Sequence, residues 1–170
     1  MRAFAGTVMR SCTAAGVRDL VMALSDLPPD LAAQLEGHDL IVFDAECVLC
    51  SRFYRFVLRF DRHQQFRFAT AQSPLGQDLY RALDLPLEDF QTNLVITDGQ
   101  LATHLDSVVA VMGKLGGAWR IICAIGLLPR VIKTPLYAAV ARNRYRIFGR
   151  YETCMLPDAQ ARARFLPRGV

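Results

Sequence analysis

Short apolar runs alternate with amphipathic stretches along the chain. Residues 40–43 are continuously apolar and of strand length, which is typical of a strand buried on both faces. Residues 66–69 and 94–97 predict two further strands, and the Asp-Gly dipeptide that follows predicts a hairpin returning through residues 100–102. Because helical patterns separate these runs, the sequence predicts a layered α/β domain.

Residues 47–62 carry two stripes of side chains at helical spacing. The apolar stripe consists of Cys50, Phe53, Tyr54, Val57 and Phe60, and the basic stripe of Arg52, Arg55, Arg59 and Arg62. We therefore predict an amphipathic helix whose arginines form a solvated face.

Four more helices are predicted from capping and breaking residues. Ser73 and Pro74 are typical of an N-cap and a first helical position, with the helix running to about residue 83. The other three predicted helices are one capped by Asp106 or Ser107 and ending at residues 116–117, one over residues 118–128, and one from Thr134-Pro135 to about residue 143. The tail after Gly149 is expected to be irregular.

The N-terminal residues do not fit the pattern of a folded domain. Residues 1–21 contain three arginines and no acidic residue before Asp19, and no apolar run of roughly 7–15 residues that a secretory signal needs. They resemble an organelle transit peptide or an upstream translation start. We expect an N-terminal extension over residues 1–37, one domain over residues 38–155 and a polar tail over residues 156–170.

Composition and charge restrict the classes of function. The 170 residues are 52% hydrophobic, enough for one packed core. Residues 101–170 hold 11 basic and 3 acidic residues, a net charge of +8. Residues 130–150 contain no acidic residue and are a candidate for weak contact with a membrane surface or an acidic partner, although a solvated helix face is the alternative. No nucleic-acid-binding pattern is present, so we expect no nucleic-acid partner.

Five cysteines are spread along the chain, and two of them are close together. An odd number in a chain of this size indicates a reducing compartment, so we expect a cytoplasmic protein. Cys47 and Cys50 form a C-x-x-C at the junction of a predicted strand and helix, where the helix N-terminus stabilises a thiolate. Since Cys50 lies on the apolar stripe, we expect Cys47 to be the more exposed thiol and the nucleophile, and Cys50 to be the resolving cysteine.

Charged neighbours leave the chemistry of this pair open. Asp44 and Glu46 would raise the pKa of a nearby thiol, and the arginines Arg52 and Arg55 lie further along the helix. Asp44 is a candidate proton acceptor for Cys50, or it caps the helix. The C-x-x-C is also compatible with half of a zinc site, for which the further ligands would come from His63, His104, Cys123 and Cys154.

These residues resemble a known family. Asp44, the C-x-x-C and the Arg-Phe-Asp-Arg stretch at residues 59–62 are similar to the DCC family of predicted thiol-disulfide oxidoreductases, and the similarity continues to about residue 155. The resemblance implies a thioredoxin-like (glutaredoxin-like) mixed sheet flanked by helices, with extra C-terminal helices. Ala45 stands where the family usually has glycine, and Thr92-Asn93 stands where thioredoxin relatives have a cis-proline.

The activity implied by the resemblance is that of a protein-disulfide reductase without an organic cofactor or metal. Cys47 and Cys50 would reduce a disulfide-containing protein or a small thiol substrate, and an external thioredoxin- or glutathione-like donor would restore them. The alternatives are a non-catalytic thioredoxin-like binding module and a metal site on the C-x-x-C. Trp119 and Tyr137 are expected in the core, Ser107 near the cysteines, and Cys154 as a free thiol, with pairing to Cys123 as the alternative.

Overall fold

The computed structural model describes residues 23–88, 90–152 and 159–170, which surround a four-stranded mixed sheet. The strands are β1 (Asp39–Phe43), β2 (Phe66–Thr70), β3 (Leu94–Thr97) and β4 (Gln100–Thr103). They lie in the order β2-β1-β3-β4, with β1 and β2 parallel and the other two pairings antiparallel. This sheet with its flanking helices is that of a thioredoxin-like fold and confirms the expected fold class.

Six α-helices and two 3₁₀ segments flank the sheet in the described part of the chain. The helices are α1 (Pro29–Leu35), α2 (Val48–Phe60), α3 (Pro74–Ala82), α4 (His104–Leu115), α5 (Arg130–Phe148) and α6 (Ala159–Arg162), and the 3₁₀ segments are Leu24–Asp26 and Gly117–Leu127. The amphipathic helix predicted after the first strand is confirmed as α2, and its three arginines are exposed, as is Arg62 just beyond its end.

Both faces of the sheet are buried, as the apolar pattern predicts. Leu40 and Val42 on one face pack in a cluster with side chains of α1 and α3. Ile41 and Phe43 on the other face pack with the aromatic residues Tyr54, Phe66 and Phe68. Leu27, Leu31 and Leu35 belong to the first cluster, so residues 23–37, which the sequence assigns to an extension, contribute to the core.

Helix α3 begins at the predicted residue and lies against the end of β2. Ser73 is its N-cap, with Oγ accepting from the backbone N–H of Gly76 at 3.1 Å. A Cβ at Gly76 would lie 2.1 Å from the carbonyl oxygen of Thr70. Glycine at this position is therefore what allows the helix to approach the strand backbone.

Two helix boundaries differ from prediction. Helix α4 begins at His104, directly after β4, so Asp106 and Ser107 lie in its first turn and neither is its N-cap. Their polar atoms bind elsewhere: Asp106 forms a buried ion pair with Lys133 of α5 at 2.7 Å, and Ser107 Oγ donates to the His104 carbonyl at 2.6 Å. The segment predicted as a helix over residues 118–128 is 3₁₀ in geometry.

Helix α5 is longer than predicted at both ends. It starts at Arg130 after the N-cap Pro129, and Pro135 lies inside it. Proline at this position removes the hydrogen bond to the carbonyl of Val131. Val131 is 81% exposed, so water can reach that carbonyl, and the helix continues through the proline to Phe148.

The expectation of an irregular C-terminal tail is wrong for residues 159–162, whereas most of residues 163–170 are irregular but lie against the sheet. The whole segment 159–170 contains α6 and then runs along the outer edge of β2, where Arg164 and Gly169 accept backbone hydrogen bonds from Phe68 and Thr70 at 2.9 and 2.8 Å. Because an uncovered edge strand invites pairing with another chain, the segment protects the sheet.

A buried ion pair holds this C-terminal segment in place. The Asp61 carboxylate accepts from the backbone N–H of Gln65 and of Phe66 at 3.0 Å each, and from Arg164 Nη2 at 2.5 Å. The side chains of Asp61 and Arg164 are 0% and 8% exposed. Asp61, part of the Arg-Phe-Asp-Arg stretch, therefore has a structural role.

Among the described residues, no single helix is long and apolar enough to cross a bilayer. The 3₁₀ segment Gly117–Leu127 and residues 131–148, bent by 113° relative to each other, reach the required length and composition only when taken together.

We predict that Arg164→Met lowers the free energy of unfolding by about 3–5 kcal/mol, because it leaves the Asp61 carboxylate buried without its partner. The matched control is Arg168→Met in the same segment, whose ion pair with Asp78 is exposed and for which a loss below about 1 kcal/mol is expected. Urea unfolding of both variants measures the difference, and equal losses would contradict the assignment.

Candidate active site

Cys47 and Cys50 lie at the start of α2, directly after β1. Cys47 is the N-cap, and its Sγ accepts a hydrogen bond from the backbone N–H of Cys50 at 3.3 Å. Both cysteines are free thiols. Side chains three residues apart in the first helical turn share one side of the helix, so the two sulfurs are neighbours, as the spacing predicts.

The predicted order of exposure is wrong. Cys47 is 0% exposed, whereas Cys50 is half-buried. Helical periodicity within α2 could not show this, because the residues that cover Cys47 come from about 100 positions later in the chain.

Those covering residues are 149–151, which we call the strap. Arg150 forms an isolated antiparallel bridge with Cys47. The backbone N–H of Tyr151 donates to the Glu46 carbonyl at 2.8 Å, and that of Val48 donates to the Gly149 carbonyl at 3.4 Å. The Arg150 side chain also pairs with the Glu46 carboxylate at the surface. The strap thus closes over Cys47 through backbone hydrogen bonds and one exposed ion pair.

The two thiols differ in acidity. The hydrogen bond from the Cys50 side chain, helped by that from its backbone N–H, lowers the pKa of Cys47 to about 7 although burial opposes this. The same side-chain hydrogen bond, together with burial, raises the pKa of Cys50 far above its ordinary value. Cys47, whose sulfur also accepts the backbone N–H of Cys50, is therefore the more acidic thiol of the pair.

Asp44 is buried and completely engaged by hydrogen bonds. Its Oδ1 accepts from Glu46 N–H at 3.0 Å and from Gln72 Nε2 at 2.7 Å. Its Oδ2 accepts from Arg144 Nη2 at 3.0 Å and from the Tyr145 hydroxyl at 2.5 Å. The predicted site residue is thus beside the cysteines, held by two side chains of α5.

Arg144 is the functional candidate that the sequence analysis missed. Its guanidinium is buried beside Asp44, and its charge lowers the pKa of Cys47 while that of Asp44 raises it. Arg52 and Arg55 lie on the exposed face of α2. The only signal for Arg144 in the sequence is its place in the Arg-rich end of the family-like region, 100 residues from Asp44.

A cavity of about 370 Å³ opens beside Cys50, between β1, α2, α4 and α5. Its walls are mostly apolar, formed by Leu49, Phe53, Leu105, Val108, Leu136 and Val140, among others. Asp44 and Arg144 also line it. Cys50 is therefore the cysteine whose surface faces an open space.

A polar cluster closes one side of the cavity. The Tyr137 hydroxyl donates to Asn93 Oδ1 at 2.6 Å, and Asn93 Nδ2 donates to Ser107 Oγ. Burial raises the pKa of the Tyr137 hydroxyl to about 12. Tyr137, expected in the core, is thus a wall of the cavity, and Ser107 is joined to that wall through Asn93 rather than lining it.

Trp119 and Cys123 have partners other than the C-x-x-C. Trp119 packs edge-on against Phe56 and Phe60. Cys123 is disulfide-bonded, and the prediction for Cys154 falls outside the described residues. Within residues 23–88, 90–152 and 159–170, no three His, Cys, Asp or Glu side chains are grouped as metal ligands.

Comparison with known proteins agrees with this geometry. The family model for DCC1-like thiol-disulfide oxidoreductase matches residues 41–150. "Uncharacterized protein YuxK" of Bacillus subtilis (strain 168) is 33% identical over 127 residues, covering 75% of this chain and 93% of that protein. "DCC family protein At1g52590, chloroplastic" of Arabidopsis thaliana is 26% identical over 118 residues, 69% of each chain. No solved structure matches the chain.

The matched region contains residues 41–43 of β1, the C-x-x-C, Arg144 and residues 149–150 of the strap. The chain therefore belongs to the DCC1-like thiol-disulfide oxidoreductase family.

Proposed function

We propose that the chain is an enzyme of the protein-disulfide reductase type, with Cys47 as the nucleophile and Cys50 as the resolving thiol. One observation carries the proposal: the backbone N–H of Cys50 donates to the Cys47 sulfur at a helix N-terminus, an arrangement in which the pKa of Cys47 is lowered to about 7. A thiol with a pKa near the ambient pH is a favourable attacking group in disulfide exchange.

The proposed reaction has two exchange steps. The Cys47 thiolate attacks one sulfur of a substrate disulfide, the substrate S–S bond breaks, and the other sulfur leaves and takes a proton from water. Cys50 then attacks Cys47 Sγ in the mixed disulfide, which forms the Cys47–Cys50 disulfide and releases the second substrate thiol. Two electrons pass to the substrate, and an external thioredoxin- or glutathione-like dithiol or thiol pair returns them.

The first step prepares Cys50 for the second. The hydrogen bond to Cys47 is the largest cause of the raised pKa of Cys50, and the charge of Cys47 adds to it. Both disappear once Cys47 is in a mixed disulfide, so Cys50 loses its proton more easily at that point. The Asp44 carboxylate, which lines the same cavity and is oriented by Arg144 and Tyr145, is the proposed acceptor.

Attack on a substrate also requires access to Cys47, which the strap covers. The Arg150–Glu46 ion pair is the side-chain contact that helps to hold the strap over Cys47, and the Arg150 side chain is 57% exposed. An exposed pair adds little to closure, so opening of the strap mainly requires breaking its two backbone hydrogen bonds.

One surface supports a second candidate function, contact with an anionic partner. On α5, Ile132, Leu136 and Ile147 are 50–60% exposed, and the exposed arginines Arg142 and Arg146 lie on the same helix. A membrane surface or an acidic protein fits this combination. A cytoplasmic location stays a prediction.

We predict that Cys47 and Cys50 titrate together as one two-electron couple in dithiol/disulfide buffers. Cys47→Ser is expected to abolish disulfide reduction, and Cys50→Ser to accumulate a mixed disulfide on Cys47, because no second thiol can resolve it. Alkylation of free thiols followed by peptide mass spectrometry measures both outcomes.

Zinc measured on the same metal-retaining preparation separates the alternatives. Independent thiols, or about one zinc per chain bound through the two cysteines, would replace the enzyme proposal with a binding or metal-site function.

The acidity of Cys47 is tested by two substitutions that both remove the second thiol. Cys50→Ser retains a side-chain donor and Cys50→Ala does not. The pH midpoint for alkylation of Cys47 by iodoacetamide is expected at about 7 in the wild type, to rise toward 9.0 in Cys50→Ala, and to lie lower in Cys50→Ser than in Cys50→Ala. Identical midpoints in the two variants would show that the side-chain hydrogen bond does not set the acidity.

Opening of the strap is tested by Arg150→Ala. Loss of the ion pair with Glu46 is expected to speed alkylation of Cys47 about 2- to 5-fold at fixed pH and low salt, the range that follows from an exposed pair. Arg146→Ala, which removes an exposed arginine near the end of α5, is the matched control and is expected to leave the rate unchanged. A rate insensitive to Arg150 would mean that substrates reach Cys47 without movement of the strap.

A further inference from the structure

The cavity beside Cys50 is an apolar opening at the candidate site. Its exposed lining is almost entirely apolar and is formed by aliphatic and aromatic side chains on three helices, with Phe53, Val108 and Val140 on facing sides. Its volume of about 370 Å³ is at the low end of the 300–1,000 Å³ that is usual for small-molecule pockets. It therefore has room for one side-chain-sized group or a small organic group.

The polar groups at the cavity are already paired with one another. Arg144 is in its ion pair with Asp44, and the Tyr137 hydroxyl bonds to Asn93 and to the carbonyl of Gln91. A charged group entering the cavity would lose its hydration without gaining a counter-ion, which is costly. The walls therefore favour a neutral apolar group.

The position of the cavity determines what part of a substrate can fill it. Cys50 forms one wall, and its N–H is 3.3 Å from Cys47 Sγ, the atom proposed to carry the mixed disulfide. A side chain next to the substrate cysteine is therefore at the right place to enter while its sulfur is bonded to Cys47.

We infer that this site selects disulfides whose cysteine is flanked by an apolar side chain, and that the cavity wall formed by Phe53, Val108 and Val140 is its specificity pocket. The inference rests on the proposed function. Peptide or protein disulfides with apolar neighbours are the favoured substrates, and disulfides surrounded by carboxylates are disfavoured.

Three symmetrical disulfides test the selectivity with the same reacting sulfur. They are the oxidised dimers of acetyl-Leu-Cys-amide, acetyl-Ser-Cys-amide and acetyl-Glu-Cys-amide. The reduced wild-type chain is expected to exchange with the leucine dimer about 10-fold or more faster, in kcat/KM, than with the glutamate dimer, with the serine dimer between them. Each rate is divided by the rate at which a free small-molecule thiol exchanges with the same dimer. This removes differences in intrinsic reactivity between the dimers.

The variant that locates the selectivity is Val140→Asn, with Val131→Asn on the same helix as the matched control outside the cavity. Val140→Asn is expected to reduce the leucine-to-serine preference about 3-fold or more and Val131→Asn to leave it unchanged. The inference is overturned if the three dimers react at equal rates, or if Val140→Asn leaves the preference for the leucine dimer intact. In either case the exchange reaction itself still supports the proposed function. A chain that exchanges with none of the dimers, nor with other disulfides, contradicts both.

Discussion

The buried ion pair between Asp44 and Arg144 joins two parts of the chain that 100 residues separate. Asp44 ends the first strand, and Arg144 projects from the longest helix, so their contact places α5 against the cysteine loop. The position of α5 in turn creates one wall of the apolar cavity and brings the strap over Cys47. A second buried pair, Asp106 with Lys133, fixes the other end of the same helix to α4.

The pair also explains how a carboxylate can lie beside a reactive thiol. A lone Asp44 would raise the pKa of Cys47, whereas the guanidinium of Arg144 lowers it. The side-chain hydrogen bond from Cys50 is the largest influence on the pKa of Cys47, ahead of burial and of either charge. The Tyr145 hydroxyl also donates to Asp44 Oδ2, the oxygen that Arg144 binds, and helps to hold the two charged groups in place. Arg144 of α5 therefore offsets the charge of Asp44 beside the cysteines.

Local patterns allowed the sheet, the amphipathic helix α2 and the C-x-x-C at its start to be predicted. Each depends on residues that are neighbours in sequence: the apolar run of β1, the two stripes of α2, and Ser73 capping α3. The errors came from contacts distant in sequence. Cys47 is covered by residue 150, Arg144 reaches back to Asp44, and Arg164 binds Asp61. Thr134-Pro135 has the pattern of a helix start, but α5 starts directly after its N-cap, Pro129. The helix tolerates Pro135 because the carbonyl left without a hydrogen bond, that of Val131, is exposed.

The apolar cavity links the proposed specificity to the proposed chemistry. Burial is the second largest cause of the raised pKa of Cys50, and the cavity forms much of its surroundings. An apolar group in the cavity keeps water away from Cys50, and a polar group brings water in. A substrate that fits the cavity therefore leaves Cys50 protonated during the first exchange. At that stage a Cys50 thiolate would be repelled by the negative charge of the Cys47 thiolate. The hydrogen bond to Cys47 then breaks as the mixed disulfide forms, and this change, rather than entry of water, releases the Cys50 proton for the second exchange.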